Sequence, residues 1–367
     1  MVTHAPPPGP PARGPLTGPP APAAARESPP PGPAPAAAGL LRFAALGDSL
    51  TEGLGDPRPE GGWRGWVPLL AASLPQPGAP VRVANLARSG ARTADAAGPQ
   101  LAAALALRPH LAAVIVGGND TLRSPFDIGR AARDLDAVLR ALTARGTVVL
   151  TACLPDPGGS LRLPRSLTGP LARRMHALND VVHHLSRRYA AVHAHLAHHP
   201  LTQDPAAWSV DRLHPSELGH RLLAREFHAR LAERGLALGP PPPAAPDHPP
   251  PTRSAGAWWL ATRGTRWVLA RSTDLLPGLL RLAVAEGRHR RAGTQEALDH
   301  AAREATRAAL RALPAPNGAP APAPGVPSAA TRPRSAVPGA RNARPHPRGQ
   351  TAHGGQAGRY PAGLAGD

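Results

Sequence analysis

The chain contains no lysine, so its 42 cationic side chains are all arginine. It has a single cysteine, Cys153, so no intramolecular disulfide can form, a cysteine-built metal cluster is excluded, and redox chemistry is disfavoured. No stretch reaches the roughly 18 consecutive apolar residues that a bilayer-spanning helix needs. The first twenty residues, MVTHAPPPGPPARGPLTGPP, lack both the basic start and the uninterrupted apolar run of a secretory leader. These absences predict a soluble, cytoplasmic protein, with peripheral attachment to a membrane as the one alternative.

What is abundant is unevenly placed. The 50 prolines and 38 glycines concentrate at the two ends and in one internal stretch, where little apolar surface is available to offset chain entropy. Residues 1–40 and 314–367 are therefore expected to be disordered, and 237–254 to be a Pro-rich linker. Between them, residues 41–236 carry regular apolar runs over a length that can bury one core, and 255–313 form a Trp- and Arg-rich helical extension. Most of the formal charge of +18 lies beyond residue 250. Such a tail could make weak contact with anionic surfaces, nucleic acid or lipid, although arginine, alanine, proline and glycine enrichment also follows from a GC-rich genome.

Over 41–236, short aliphatic runs alternate with segments of helical period, the pattern of a parallel sheet covered on both faces. Five strands are predicted at 41–48, 81–87, 111–118, 147–153 and 190–196. Helices follow at 126–144, 171–189 and 215–234, the last opened by Pro215. A further helix over 294–312 is expected to gain from an Asp299–Arg303 pair one turn apart.

The first strand runs into G-D-S-L at 47–50, which sets Ser49 just past the carboxyl edge of the sheet, where α/β folds place their sites. A serine hydroxyl needs a base, and the base an orienting group. D-R-L-H-P at 211–215 supplies both. Pro215 keeps His214 out of helical geometry, so Asp211 and His214 share a loop at a spacing that lets the carboxylate meet the imidazole. An anionic tetrahedral intermediate also needs donors from neighbouring strand ends. N-L-A-R-S-G-A at 85–91 offers the Gly90 backbone N–H, G-G-N-D at 117–120 offers the Asn119 amide, and the Ser49 N–H makes a third.

These four blocks, GDSLTEG, NLARSGA, VGGND and DRLHP, resemble in content and order those of the SGNH hydrolases, the GDSL esterases and lipases, over about 195 residues. The resemblance implies a flavodoxin-like five-stranded parallel sheet of order 2-1-3-4-5 in a three-layer α/β/α fold. It also implies a serine esterase or lipase that cleaves carboxylic esters or thioesters through an acyl-serine, without a cofactor. The substrate would be a small-molecule or lipid ester, and no obligate protein partner is implied. An alternative is a basic-tail protein that binds nucleic acid or a membrane surface and keeps a vestigial hydrolase domain.

Taken singly, each motif has a plainer reading: Gly47 and Gly90 as turn glycines, Asn119 as an Asx turn, His214 as a helix cap. Asp120 is expected to hold its loop, Glu52 to cap or solvate the first helix, and Cys153 to be a small buried hydrophobe. His193, His195, His198 and His199 form a cluster without a recognised ligand pattern, so no metal is expected. Trp258, Trp259 and Trp267, interleaved with arginine, fit either a membrane interface or a helix folded back as a lid over the acyl pocket. Loops 54–66 and 154–167 are expected to shape that pocket, with Trp63 and Trp66 at its entrance.

Overall fold

The computed structural model describes residues 40–74, 80–161, 163–248 and 265–315, with the side chains of 159–160 and 265–275 outside that description. The segments read as disordered fall almost wholly outside it, as do Trp258, Trp259 and the Trp267 side chain.

Five strands, β1 (Leu41–Gly47), β2 (Val81–Asn85), β3 (Leu111–Ile115), β4 (Val148–Ala152) and β5 (Val192–Ala194), form one parallel sheet of order β2-β1-β3-β4-β5. The order is the one the resemblance implied. All five residues of the central β3 are buried, as expected of a strand covered on both faces. Alternation sorts the side chains: Phe43 and Ala45 enter one core, Ala44 and Leu46 the other.

The helices are α1 (Ser49–Glu52), α2 (Trp66–Ala72), α3 (Thr93–Asp95), α4 (Leu101–Leu107), α5 (Gly118–Leu122), α6 (Ile128–Thr143), α7 (Pro157–Ser160), α8 (Arg165–Arg188), α9 (Glu217–Ala232), α10 (Thr265–Arg291) and α11 (Gln295–Arg311). Leu135, Leu139 and Leu142 of α6 and Leu178, Val181 and Leu185 of α8 cover one face of the sheet. Trp66 and Leu70 of α2 and Leu223 and Phe227 of α9 cover the other.

Three helix readings change. Helix α8 starts at Arg165 rather than Leu171: Pro170 costs an interior bond, but the Pro164 carbonyl accepts from the N–H groups of Leu167 and Thr168 and secures the first turn. Pro215 precedes α9 instead of opening it. Ser216 is the cap, its hydroxyl accepting from the Gly219 N–H at 3.3 Å. In α11, Asp299 turns from Arg303 to Arg173 of α8, whose Nε donates at 2.6 Å.

That bond is one of several fixing α10 and α11 to the outside of α6 and α8. Glu286, 2 % exposed, accepts from Arg173 Nη1 at 3.3 Å and from Gln295 Nε2 at 2.9 Å. Ala309 and Leu313 join the core beneath. The chain after α9 lies on the domain as well: the Pro242 carbonyl accepts from Arg225 at 2.7 Å, and Asp247 from Arg64 at 2.7 Å. No helix among the described residues is long and apolar enough to cross a membrane.

Candidate active site

The end of β1 is locked before the chain turns. Gln100, buried beyond α3, accepts from the Gly47 N–H at 2.8 Å and donates to the Gly47 carbonyl at 2.9 Å. A Cβ at Gly47 would stand 2.5 Å from the Ile115 carbonyl oxygen, so only glycine lets β1 stay this close to β3 here. Asp48 then caps α1, its Oδ1 accepting from Leu50 N–H at 3.1 Å, and Ser49 is the first helical residue.

The second segment is a closed loop between α9 and the preceding turns. The Ser209 N–H donates to the His214 carbonyl at 2.8 Å, and the Ser216 hydroxyl to the Ala206 carbonyl at 2.6 Å. Inside it, Asp211 Oδ1 accepts from Ser209 Oγ (2.7 Å), Leu213 N (2.9 Å) and His214 N (3.0 Å), while Oδ2 lies 2.6 Å from His214 Nδ1. Burial by itself would raise the Asp211 carboxyl. The His214 ring bond, the His214 charge, its backbone N–H and the Ser209 hydroxyl outweigh burial and lower it to about 2. An ionised carboxylate only accepts, so Nδ1 carries the imidazole proton and Nε2 presents a lone pair. Ser49 Oγ is 2.7 Å from that Nε2 and donates to it.

The remaining predicted groups cluster less uniformly. Asn119, on α5, donates to the Ala91 carbonyl at 3.1 Å and, more weakly, to Asp48 Oδ2 at 3.4 Å. Gly90 has a positive φ of 82° and its carbonyl accepts from Arg123 at 3.3 Å. Its loop is tied down from two sides: Glu52 of α1 accepts from Ser89, and Asp120 accepts from the Thr93 N–H at 3.1 Å and hydroxyl at 2.9 Å. Glu52 thus anchors the glycine loop, where the sequence suggested only a cap or a solvated side chain.

Ser49, Asn119 and His214 line a cavity whose other walls are mostly apolar, with Leu122, Leu154, Met175, Leu196, Leu201, Trp208 and Leu223 prominent; Gly90 is not in its lining. Loop 154–167 contributes Leu154, Pro155 and Pro157, whereas loop 54–66 contributes nothing. Trp66 is a core residue stacked 5.0 Å from Phe227, and neither it nor the exposed Trp63 is among the residues that line the cavity. Among the described side chains of α10 and α11, none lines the cavity. The Leu201–Trp208 wall comes from short 3-10 turns that carry no periodic signature. What could have found it are the two turn starts, His199–Pro200 and Asp204–Pro205.

Asp48 was not singled out by the sequence, yet it lines the cavity and is 6 % exposed. Burial is the main cause that pushes its carboxyl from 3.8 up to about 6, against the opposing pull of the Leu50 N–H and of His214. Buried His220 of α9 is lowered to about 4 by desolvation, and as a neutral ring it donates from Nε2 to the Leu54 carbonyl at 2.8 Å. This bond ties α9, and with it the His214 loop, to the segment after α1.

Residues 45–222 match the model of the GDSL-like lipase/acylhydrolase family. Among solved structures the chain is similar to TesA, with 23 % identity, a TM-score of 0.44, and coverage of 53 % of this chain and 99 % of that one. It is also similar to a lipase/acylhydrolase from Enterococcus faecalis (19 % identity, TM-score 0.43, 55 % of this chain and 98 % of that one). An acetylxylan esterase from Geobacillus stearothermophilus gives 20 % identity, a TM-score of 0.43, and coverage of 55 % and 96 %. No curated protein matches. Over residues 45–222 the chain carries a domain of the GDSL-like lipase/acylhydrolase family, a family of ester hydrolases.

Proposed function

We propose that the domain hydrolyses carboxylic esters or thioesters with an apolar acyl group, through an acyl-serine formed on Ser49. The observation that carries this reading is the unbroken relay from Asp211 through His214 to Ser49 Oγ, ending at the wall of an apolar cavity. His214 takes the Ser49 proton as the hydroxyl attacks the acyl carbon, then gives it to the departing alcohol or thiol. Water, deprotonated by the same imidazole, attacks the acyl-serine; the acid leaves and Ser49 regains its proton. Asp211 holds the ring's tautomer and stabilises the imidazolium.

The oxyanion is assigned to the backbone N–H groups of Ser49 and Gly90 and to the Asn119 amide. Asn119 holds its longer bond to Asp48, and a developing oxyanion would replace that bond at least cost. The apolar walls accept the acyl group, and the alcohol leaves toward solvent. The test is labelling by a fluorophosphonate probe together with hydrolysis of nitrophenyl esters of graded chain length. Ser49→Ala is expected to abolish both while circular dichroism stays unchanged. Equal labelling of the two proteins would remove Ser49 from the mechanism.

A further inference from the structure

Beside the cavity, three elements bring together a set of side chains that the ester chemistry does not use. Cys153 follows β4, His193 lies on β5 and His195 just past its end, and His183 comes from α8, which packs against this edge; their four ligand atoms all lie within 4.8 Å of one another. The three imidazoles pack ring against ring, with centroids 4.6–5.3 Å apart. Among the described residues, the buried Nε2 atoms of His183 and His193 have no hydrogen-bond partner. Buried polar atoms without partners are uncommon in folded proteins and call for a cause.

The surroundings of His193 supply one. Ser186 Oγ donates to the Val182 carbonyl at 2.6 Å, so it must accept from Thr151 Oγ1 at 2.7 Å, and Thr151 in turn accepts from His193 Nδ1 at 3.0 Å. This chain of hydroxyls places the ring proton on Nδ1 and aims the Nε2 lone pair into the cluster. A hydrogen-bonded outer nitrogen is the usual support of a metal-binding histidine.

We propose that Cys153, His183, His193 and His195 bind one borderline divalent transition-metal cation, Zn²⁺ being the best fit to one thiolate and three imidazoles. With bonds of about 2.0–2.3 Å, tetrahedral ligands stand roughly 3.3–3.6 Å apart, so the 4.8 Å span closes by small side-chain rotations. Binding releases the Cys153 thiol proton, one per cation. Four protein ligands make a closed, structural site, and it pins α8 to the ends of β4 and β5. The next residues along the chain, Leu154 and Leu196, line the cavity, so the cation stiffens a wall of the acyl pocket. The histidine cluster expected from sequence is thereby redrawn: His198 is not among the four, and His199 instead bonds the Leu201 N–H and faces Glu226. His183 and Cys153 take their places.

The proposal does not rest on the esterase reading. Its test uses the full-length, untagged chain, stripped with a chelator and titrated with Co²⁺ as a spectroscopic substitute for Zn²⁺. One equivalent of Co²⁺ should give the visible bands of a tetrahedral ion and a near-ultraviolet thiolate charge-transfer band, both removed by one equivalent of Zn²⁺. Cys153→Ser should delete the charge-transfer band. His195→Gln, at an exposed position that the core does not need, should weaken Co²⁺ binding at least tenfold with circular dichroism unchanged. Thr151→Val, which removes the nearer acceptor of the His193 Nδ1 proton and leaves Ser186 Oγ at 3.2 Å, should weaken it about tenfold. No binding, an octahedral spectrum without the charge-transfer band, or an affinity that Cys153→Ser and His195→Gln leave unchanged would each overturn the site.

Discussion

Glu52 and Ser89 are joined by two hydrogen bonds of 2.6 Å, the Glu52 Oε2 accepting from both the backbone N–H and the hydroxyl of Ser89. One end of this pair sits three residues after Ser49 and the other one residue before Gly90, so it holds the nucleophile's helix against the glycine loop. Glu52→Ala should therefore lower kcat by roughly tenfold with little change in KM. That is less than the ~10²–10³ expected from removing an oxyanion donor outright. Steady-state kinetics on a soluble nitrophenyl ester decide it; a loss confined to KM would place Glu52 in substrate binding instead.

Asp211 accepts four hydrogen bonds, one from the His214 ring and three that hold the carboxylate in place. Asp211→Asn keeps the shape but presents an amide to Nδ1, which favours the wrong tautomer of His214, and a fall in kcat of about 10⁴ is expected. Single-turnover acylation at neutral pH reads this directly. Activity within tenfold of wild type would show that the carboxylate does not orient the base.

Asp48 sets a pH dependence of stability. Its folded carboxyl is raised from 3.8 to about 6, chiefly by burial, so the fold prefers the protonated form. The contribution is complete below about pH 4 and is lost as pH rises through 6, amounting to roughly 3 kcal/mol across that window. Asp48→Asn keeps the cap on Leu50, since asparagine caps as well as aspartate does. The variant should match wild type near pH 4 and exceed it in stability at pH 7. Denaturant unfolding at intervals of pH would reveal parallel curves if Asp48 were not the titrating group.

Glu286 reports on the outer helices. Glu286→Ala removes the acceptor of Arg173 and Gln295 in a buried place and should cost about 1.5–3 kcal/mol. Because none of the described α10 side chains lines the cavity, kcat measured well below the unfolding temperature should stay within twofold of wild type. A large fall in kcat at full folding would show that the outer helices act on the active site.

Much of this was legible before any coordinates. The aliphatic runs and the helical stripes of α6 and α8 reflect interactions between near neighbours in sequence, and they survive folding with shifts of a few residues. The D-x-x-H spacing is likewise local: Asp211 meets His214 within one closed loop. The boundary errors have local causes as well, since whether Pro170 is admitted to a helix, or Ser216 rather than Pro215 begins one, depends on single bonds at the ends.

What the chain order alone determined, then, is which segments are strands and helices and which residue types arrive at the carboxyl edge. Tertiary structure decided who meets whom. Ser49 and His214 are 165 residues apart, and only the strand order brings them to 2.7 Å. The depth that raises Asp48, the turns that wall the cavity and the meeting of His183 with Cys153, His193 and His195 all follow from the register of β4 with β5 and the seating of α8. Periodicity records what each residue does to its neighbours along the chain, while burial and long-range distance exist only once the layers have packed.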